Sequence, residues 1–237
     1  DLMKAGKIHS GEEINVCVPT GNFGNILAAW YAKQMGLPIQ RLICASNANR
    51  VLTDFISTGT YDRNRQFYTT TSPSMDILIS SNLERLLFDL TDCDSAQVAA
   101  WMKELAAGGR YQVSDAVKEK VARYFYGGYC DDEGTAATIE KVWREYSYLM
   151  DTHTAVAYHV YEDYVKQTGD TTKTVIASTA NPFKFNGSVL QAISHEKCQG
   201  INEFELLDRL SQKTGQKIPA SLDALRLKQP RFDLTCE

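Results

Sequence analysis

The hydrophobic residues of this chain recur with two different periods, and the switching between those periods lays out its elements. Ile14-Asn15-Val16-Cys17-Val18 is a short, partly β-branched apolar run, the pattern of a buried strand. Pro19-Thr20-Gly21-Asn22-Phe23-Gly24-Asn25 interrupts it. Ile26 to Met35 then reads as a helix with small and apolar residues almost all round, stopped by Gly36 and Pro38. Leu42 to Ala45 predicts a second strand and Ala48 to Ser57 a second helix. Strand, helix, strand, helix in this order predicts an α/β fold, a parallel sheet covered by helices.

The middle of the chain reads as helical. Leu83, Leu86, Leu87 and Leu90 fall on one face of 82–90, and Asp94 with Gln97 makes an N-cap for a helix running to Ala106. Thr135 to Met150 and Thr154 to Gln167 are further amphipathic stretches. Thr174 to Ser178 returns to the strand pattern, followed by a polar loop and a helix near Gly187 to His195. Asn202 with Glu205 caps a last helix ending at Gly215. No repeat, low-complexity tract or linker divides the chain, so 1–237 reads as one α/β unit. Asp1-Leu2-Met3-Lys4 reads as a polar helix already under way, so the unit is expected to be an incomplete fragment of a larger protein.

Composition narrows what such a unit can do. With 43% hydrophobic and 23% charged residues, the chain can bury an ordinary core. A net charge of -4 speaks against nucleic acid and against anionic membrane, which reward a basic face. No apolar stretch approaches the roughly 18 residues of a membrane span. The six cysteines (Cys17, Cys44, Cys93, Cys130, Cys198 and Cys236) form no C-x-x-C pair and stand by no histidine at finger spacing, so no metal is expected. Cys17 and Cys44 lie in apolar runs and read as buried free thiols, which favours a reducing cytoplasm.

Gly21-Asn22-Phe23-Gly24-Asn25 carries the strongest chemical signal. Glycines there permit positive φ and close approach of the backbone, and the loop feeds a helix N-terminus. Unpaired N–H groups and about half a positive charge await an anion there, and a phosphate is the natural occupant. The spacing is neither G-x-x-x-x-G-K-[ST] nor G-x-G-x-x-G, which takes most of the support from the nucleotide-binding readings. Taken alone, the turn also suits glycines needed for geometry only.

The wider context favours a ligand. Val18-Pro19-Thr20-Gly21-Asn22-Phe23-Gly24-Asn25-Ile26-Leu27-Ala28 is similar to the segment of threonine synthases that holds the cofactor phosphate. The similarity continues through Asn47-Ala48-Asn49, Thr58-Gly59-Thr60-Tyr61 and the block from Ser72-Pro73-Ser74-Met75-Asp76 to Ser80-Ser81-Asn82-Leu83-Glu84-Arg85-Leu86. Asp151-Thr152-His153-Thr154-Ala155 resembles the family's D-P-H-T-A. Ser178-Thr179-Ala180-Asn181-Pro182-Phe183-Lys184-Phe185 resembles its S-T-A-H-P-x-K-F. These motifs stand in the family's order over roughly 14 to 190. Asn25 departs from the family's Asp, Thr152 from Pro, and Asn181 from a His that could transfer protons.

The resemblance implies a fold-type II pyridoxal-phosphate enzyme of tryptophan synthase β-like fold, represented by its carboxy-terminal half. It implies that Gly21, Asn22, Phe23, Gly24 and Asn25 hold the 5′-phosphate of pyridoxal 5′-phosphate and that the Thr179 hydroxyl stands by the pyridine nitrogen. Read locally, Thr179 also suits a helix N-cap. The implied substrate is O-phosphohomoserine, with Ser80, Ser81, Asn82, Arg85, His153 and Lys184 as candidate binding residues. Read locally, Arg85 also suits a surface helix residue paired with Glu84 or Asp89. No catalytic residue is assigned, because the family's Schiff-base lysine lies upstream and no lysine here has its context. The chain alone is therefore expected to be inactive, and its missing amino-terminal half is the expected partner. Another fold-type II enzyme, a dehydratase or sulfhydrylase, is the nearest alternative. A non-enzymatic phosphate- or nucleotide-binding module of flavodoxin-like architecture is the more distant one.

Overall fold

The computed structural model describes residues 1–229 and 231–232, so Cys236 lies outside the described residues. Four parallel strands form the central sheet in the order β5-β2-β1-β6. They are β1 (Ile14–Pro19), β2 (Ile39–Ser46), β5 (Phe125–Tyr129) and β6 (Thr174–Ile176). β2 is buried along most of its length, as expected of a parallel strand covered on both faces. Leu42 and Cys44 point into a core shared with Ile26, Trp30 and Phe55 on α1 (Gly24–Gln34) and α2 (Val51–Thr58). Ile43 and Ala45 point the other way, onto Val156, Ala157 and Val160 of α7 (Thr152–Thr168). A second layer packs α8 (Asn186–Ser194) and α9 (Glu203–Thr214) against α6 (Asp132–Tyr146) and the start of α7.

The middle is not wholly helical. A two-stranded antiparallel ribbon, β3 (Thr60–Asp62) with β4 (Arg110–Gln112), brackets α3 (Leu83–Leu90) and α4 (Ser95–Gly108). Its pairing stacks Tyr61 on Tyr111 with ring centroids 5.3 Å apart and planes 3° from parallel. α5 (Asp115–Tyr124) then leads into β5. β5 escapes the periodicity because its sequence, Phe125-Tyr126-Gly127-Gly128-Tyr129, pairs two weak strand formers. Their smallness is what the packing demands. A Cβ at Gly127 would lie 3.1 Å from the Thr53 Cα, and one at Gly128 would lie 2.6 Å from a Val160 methyl carbon.

Helix ends follow the capping residues more closely than the apolar pattern. Asp94 accepts from the Gln97 N–H at 2.9 Å, as the sequence suggests. Asp131 accepts from the Gly134 N–H at 2.8 Å, so α6 begins before Thr135. It stops at Tyr146, where Ser147 turns left-handed (φ 53°), rather than at Met150. Asn202 caps α9 through the Phe204 N–H at 2.9 Å, and a short helix, α10 (Ala220–Asp223), follows that element. The first residues form turns, such as the Ala5 N–H to Asp1 carbonyl bond at 2.9 Å, and not the expected helix. Among the described residues no helix is long and apolar enough to cross a membrane.

Cys17 and Cys44 are buried free thiols, and burial pushes the Cys44 thiol up to about 12. Gly127→Ala is expected to lose about 1–3 kcal/mol to overpacking against the α2 backbone. Urea unfolding of variant and parent checks this, and an unchanged midpoint would show that the two elements separate freely.

Candidate functional site

Ligands of open α/β sheets bind beyond the carboxyl ends of the strands. Here β1 and β6 are neighbours and parallel, with Cys17 beside Ile176, so the loops that follow them emerge on the same side. Between those loops lies a cavity of about 350 Å³. Val18 to Asn25 line it from the β1–α1 turn, Thr179, Ala180 and Lys184 from the β6 side, and Ser74, Met75 and His153 complete it. All six expected cofactor-binding residues, and His153 and Lys184 of the expected substrate set, thus face one cavity.

The β1–α1 turn is a strand-to-helix junction, but its unusual backbone does not fall on a glycine. Phe23 is the N-cap of α1, with φ 63° and ψ 5° in the left-handed region, while neither Gly21 nor Gly24 has positive φ. The Phe23 ring is buried in the core, 5.8 Å from the Phe125 ring, which holds the backbone in this conformation. Gly21 is small for a different reason: a Cβ there would come 2.9 Å from the Ser74 carbonyl oxygen and 3.1 Å from the Met75 Cα. α1 carries no side-chain cap. Its first backbone bond runs from the Leu27 N–H to the Phe23 carbonyl at 3.1 Å. Among the described residues the N–H groups of Gly24, Asn25 and Ile26 find no acceptor in the chain, the arrangement that suits an anion.

The remaining walls add charge and hydroxyls. Lys184 is exposed, 5.4 Å from the Phe185 ring centroid, and pairs with no carboxylate among the described residues. The Thr179 hydroxyl is exposed and caps no helix; that role falls to Asn181, whose side chain accepts from the Phe183 N–H at 2.9 Å. Asn181 therefore shapes the loop that presents Lys184.

His153 is buried, and both ring nitrogens are engaged. Nε2 accepts from the Ser74 N–H at 3.2 Å, which places the proton on Nδ1, 3.2 Å from Asp151 Oδ1. His153 in this state ties the Ser74 turn to the start of α7. Burial works to raise the Asp151 carboxyl. Hydrogen bonds from His153 and from the Thr154 hydroxyl and N–H outweigh it and hold the group below the usual carboxylate range.

The expected serine and asparagine donors divide. The Ser80 hydroxyl is spent on the Gly21 carbonyl at 2.8 Å, and the Asn82 side-chain amide on the Asn22 carbonyl at 2.7 Å. They brace the turn and do not line the cavity. Ser81 is exposed, with its hydroxyl 3.5 Å from Asn22 Oδ1. Arg85 lines a separate surface cleft with Tyr31, Phe88 and Met102, on the outer side of α3. It pairs with neither Glu84 nor Asp89; the latter accepts from the Trp30 indole N–H at 2.5 Å. Sequence reasoning assigned no role to Ser74 and Met75, because their proximity to Gly21 arises only from the tertiary fold. A larger cleft of about 580 Å³ lies against α6 and α8, but Asp132, Glu133 and Glu140 line it, and such a surface repels phosphate.

Residues 154–232 match the family described as threonine synthase, C-terminal. The chain is 44% identical over 204 residues to human threonine synthase-like 1, covering 86% of this chain and 27% of that protein. It is 37% identical over 197 residues to threonine synthase of Saccharomyces cerevisiae, covering 77% and 38%. Among solved structures, yeast threonine synthase superposes with a TM-score of 0.79 at 33% identity, covering 95% of this chain and 44% of that one. The PLP-bound threonine synthase from Brucella melitensis gives 0.73 at 37% identity, covering 84% and 42%. The chain thus spans less than half the length of each.

Two outcomes are expected. Gly21→Ala must push the Ser74 turn away, weakening the binding of inorganic phosphate at least about tenfold by titration calorimetry. Equal affinity would take the anion away from this turn. The Asp151 carboxyl sits below its ordinary range when folded, so its stabilisation is present above that range and lost as pH falls through the folded value. Asp151→Asn is accordingly expected to lower the urea midpoint at neutral pH, with the gap to the parent closing in acid. A gap that widens in acid would reverse the sign of the shift.

Proposed function

Because the chain belongs to the threonine synthase family, we propose that it forms the phosphate-holding side of a pyridoxal-phosphate lyase. The proposed substrate is O-phospho-L-homoserine, taken with water to L-threonine and phosphate. One observation carries the reading. An uncapped helix N-terminus, a lysine that pairs with no carboxylate among the described residues and an exposed threonine hydroxyl face a single cavity at the carboxyl edge of a parallel sheet. The bound cofactor would supply an electron sink for carbanion chemistry.

This chain's own residues supply orientation and charge. The N–H groups at the start of α1, with the Asn22 side chain, would hold the cofactor's 5′-phosphate. Thr179 would offer the cofactor's pyridine nitrogen a neutral hydroxyl, which would not compel that nitrogen to keep a proton as a carboxylate would. Lys184 offers the cation that a second, substrate phosphate requires. Ser80 and Asn82 fix the shape of the turn. His153 fixes the Ser74 wall and moves no proton in this arrangement. The lysine that binds the cofactor covalently is proposed to come from the upstream part of the same enzyme. The buried free thiols fit a cytoplasmic setting.

The test is phosphate release from O-phosphohomoserine, measured with 1–237 plus excess cofactor and with the protein extended upstream. The extended protein is expected to turn over and to show the visible absorption of bound cofactor, while 1–237 alone releases no phosphate above background. Turnover by 1–237 near that of the extended protein would make Lys184 or another lysine here the covalent anchor. An extended protein that eliminates from serine derivatives instead would move the assignment to another fold-type II activity. One with no visible absorption would leave a phosphate-binding module.

A further inference from the structure

The segment between β3 and α3, from Arg63 to Asn82, is regular only at a 3-10 turn, Pro73–Met75. It exceeds the roughly 12–15 residues beyond which an irregular loop is usually either functional or disordered. This one is clamped, and the clamp centres on a single carboxylate. Asp76 accepts from the side-chain amides of Asn47 at 2.7 Å and Asn49 at 3.1 Å. It also accepts from the Thr70 hydroxyl at 2.7 Å and the Thr70 N–H at 2.9 Å. No cation lies within ion-pair range of it among the described residues. An ionised carboxylate is acceptor-only, with room for all four donors, and no other side chain of this size could satisfy them together.

The donors come from two places. Asn47 and Asn49 follow the carboxyl end of β2 and are buried at 1% and 3% exposure, whereas Thr70 belongs to the long segment. Asp76 therefore joins the segment to the sheet. Immediately before it, Met75 and Ser74 lie against Gly21 and line the cavity; just after it, Ser80 and Asn82 bond to the Gly21 and Asn22 carbonyls. Asp76 does not line the cavity.

We propose that Asp76 is a positioning residue of the anion pocket: by clamping the 70–76 stretch to Asn47 and Asn49, it sets the distance of the Ser74–Met75 wall from the phosphate turn. This rests on the reading of the cavity as a cofactor site, but the clamp itself is measurable without any ligand. Asp76→Asn replaces one acceptor by an amide N–H₂, which faces the Thr70 N–H if its oxygen stays at Oδ1 and the Asn47 and Asn49 amides if it turns over. Asn47→Asp in the same protein returns an acceptor across the 47–76 pair.

Hydrogen exchange is measured on the full-length protein, without ligand, at a temperature where thermal unfolding shows every variant folded. Asp76→Asn is expected to speed exchange across Ser72–Asn82 about tenfold or more while the β1, β2 and α7 amides keep their rates. Titration with pyridoxal 5′-phosphate is expected to show a dissociation constant raised by a similar factor, and Asp76→Asn with Asn47→Asp is expected to recover part of both. Should Asp76→Asn fail to fold, Thr70→Val, which removes one donor at similar shape, gives the same comparison. Unchanged exchange overturns the proposal, and so does faster exchange with parental cofactor affinity. If the parent protein binds no cofactor, the functional reading fails, and the exchange comparison still supports or overturns the clamp.

Discussion

A Cβ at position 21 would stand 2.9 Å from the Ser74 carbonyl oxygen, so the segment after β3 can rest on the β1–α1 turn only while that position is glycine. Much of the site depends on this approach. It brings Ser80 within 2.8 Å of the Gly21 carbonyl and sets Ser74 where its N–H meets the His153 ring. It also makes one wall out of residues that the sheet alone would leave far apart. The steric demand is local, yet it couples the β1–α1 turn to β3, to α3 and, through His153, to the start of α7.

Magnitudes show why several partners are needed. A helix N-terminus contributes about 0.3–1 kcal/mol towards holding a charge. A dissociation constant of 1 μM corresponds to about 8.2 kcal/mol. For the proposed site to reach that, its dipole would not suffice, and the difference would have to come from direct N–H hydrogen bonds, from Lys184 and, in the proposed enzyme, from the covalent link. The surrounding polar groups serve a separate purpose. Among the described residues no buried side-chain nitrogen or oxygen is left without a partner, so the walls are fixed by internal bonds and do not collapse into the space they enclose.

How much of this was legible follows from the range of each signal. Apolar periodicity and capping residues act within a few positions, so β1, α1, β2, α3 and α9 are readable to within a few residues. The strand-to-helix turn and the shared edge of the 21–25 and 178–179 loops are readable too, because a parallel sheet forces successive carboxyl ends to one side. β5 was hidden because a glycine pair suppresses the strand pattern for the sake of neighbours distant in sequence. The reading of the turn erred in one respect: position 23, an aromatic residue, carries the left-handed backbone, and a tertiary contact explains Gly21. Arg85 is a candidate phosphate ligand by its charge and the substrate that the resemblance implies, whereas the rotation of α3 turns it towards a different cleft.

The left-handed Phe23 has one more implication. A non-glycine residue held in that region costs on the order of 1–3 kcal/mol and persists only where surrounding packing over-determines it. Burying a large aromatic ring contributes about as much in the opposite direction. Strain and anchor are thus parts of the same residue, and the turn has little freedom to relax unless the core around Phe125 loosens with it. The ordering entropy of the loop is then settled when the chain folds, so the phosphate proposed to bind there would meet a preorganised receptor and spend little of its binding energy on rearranging it.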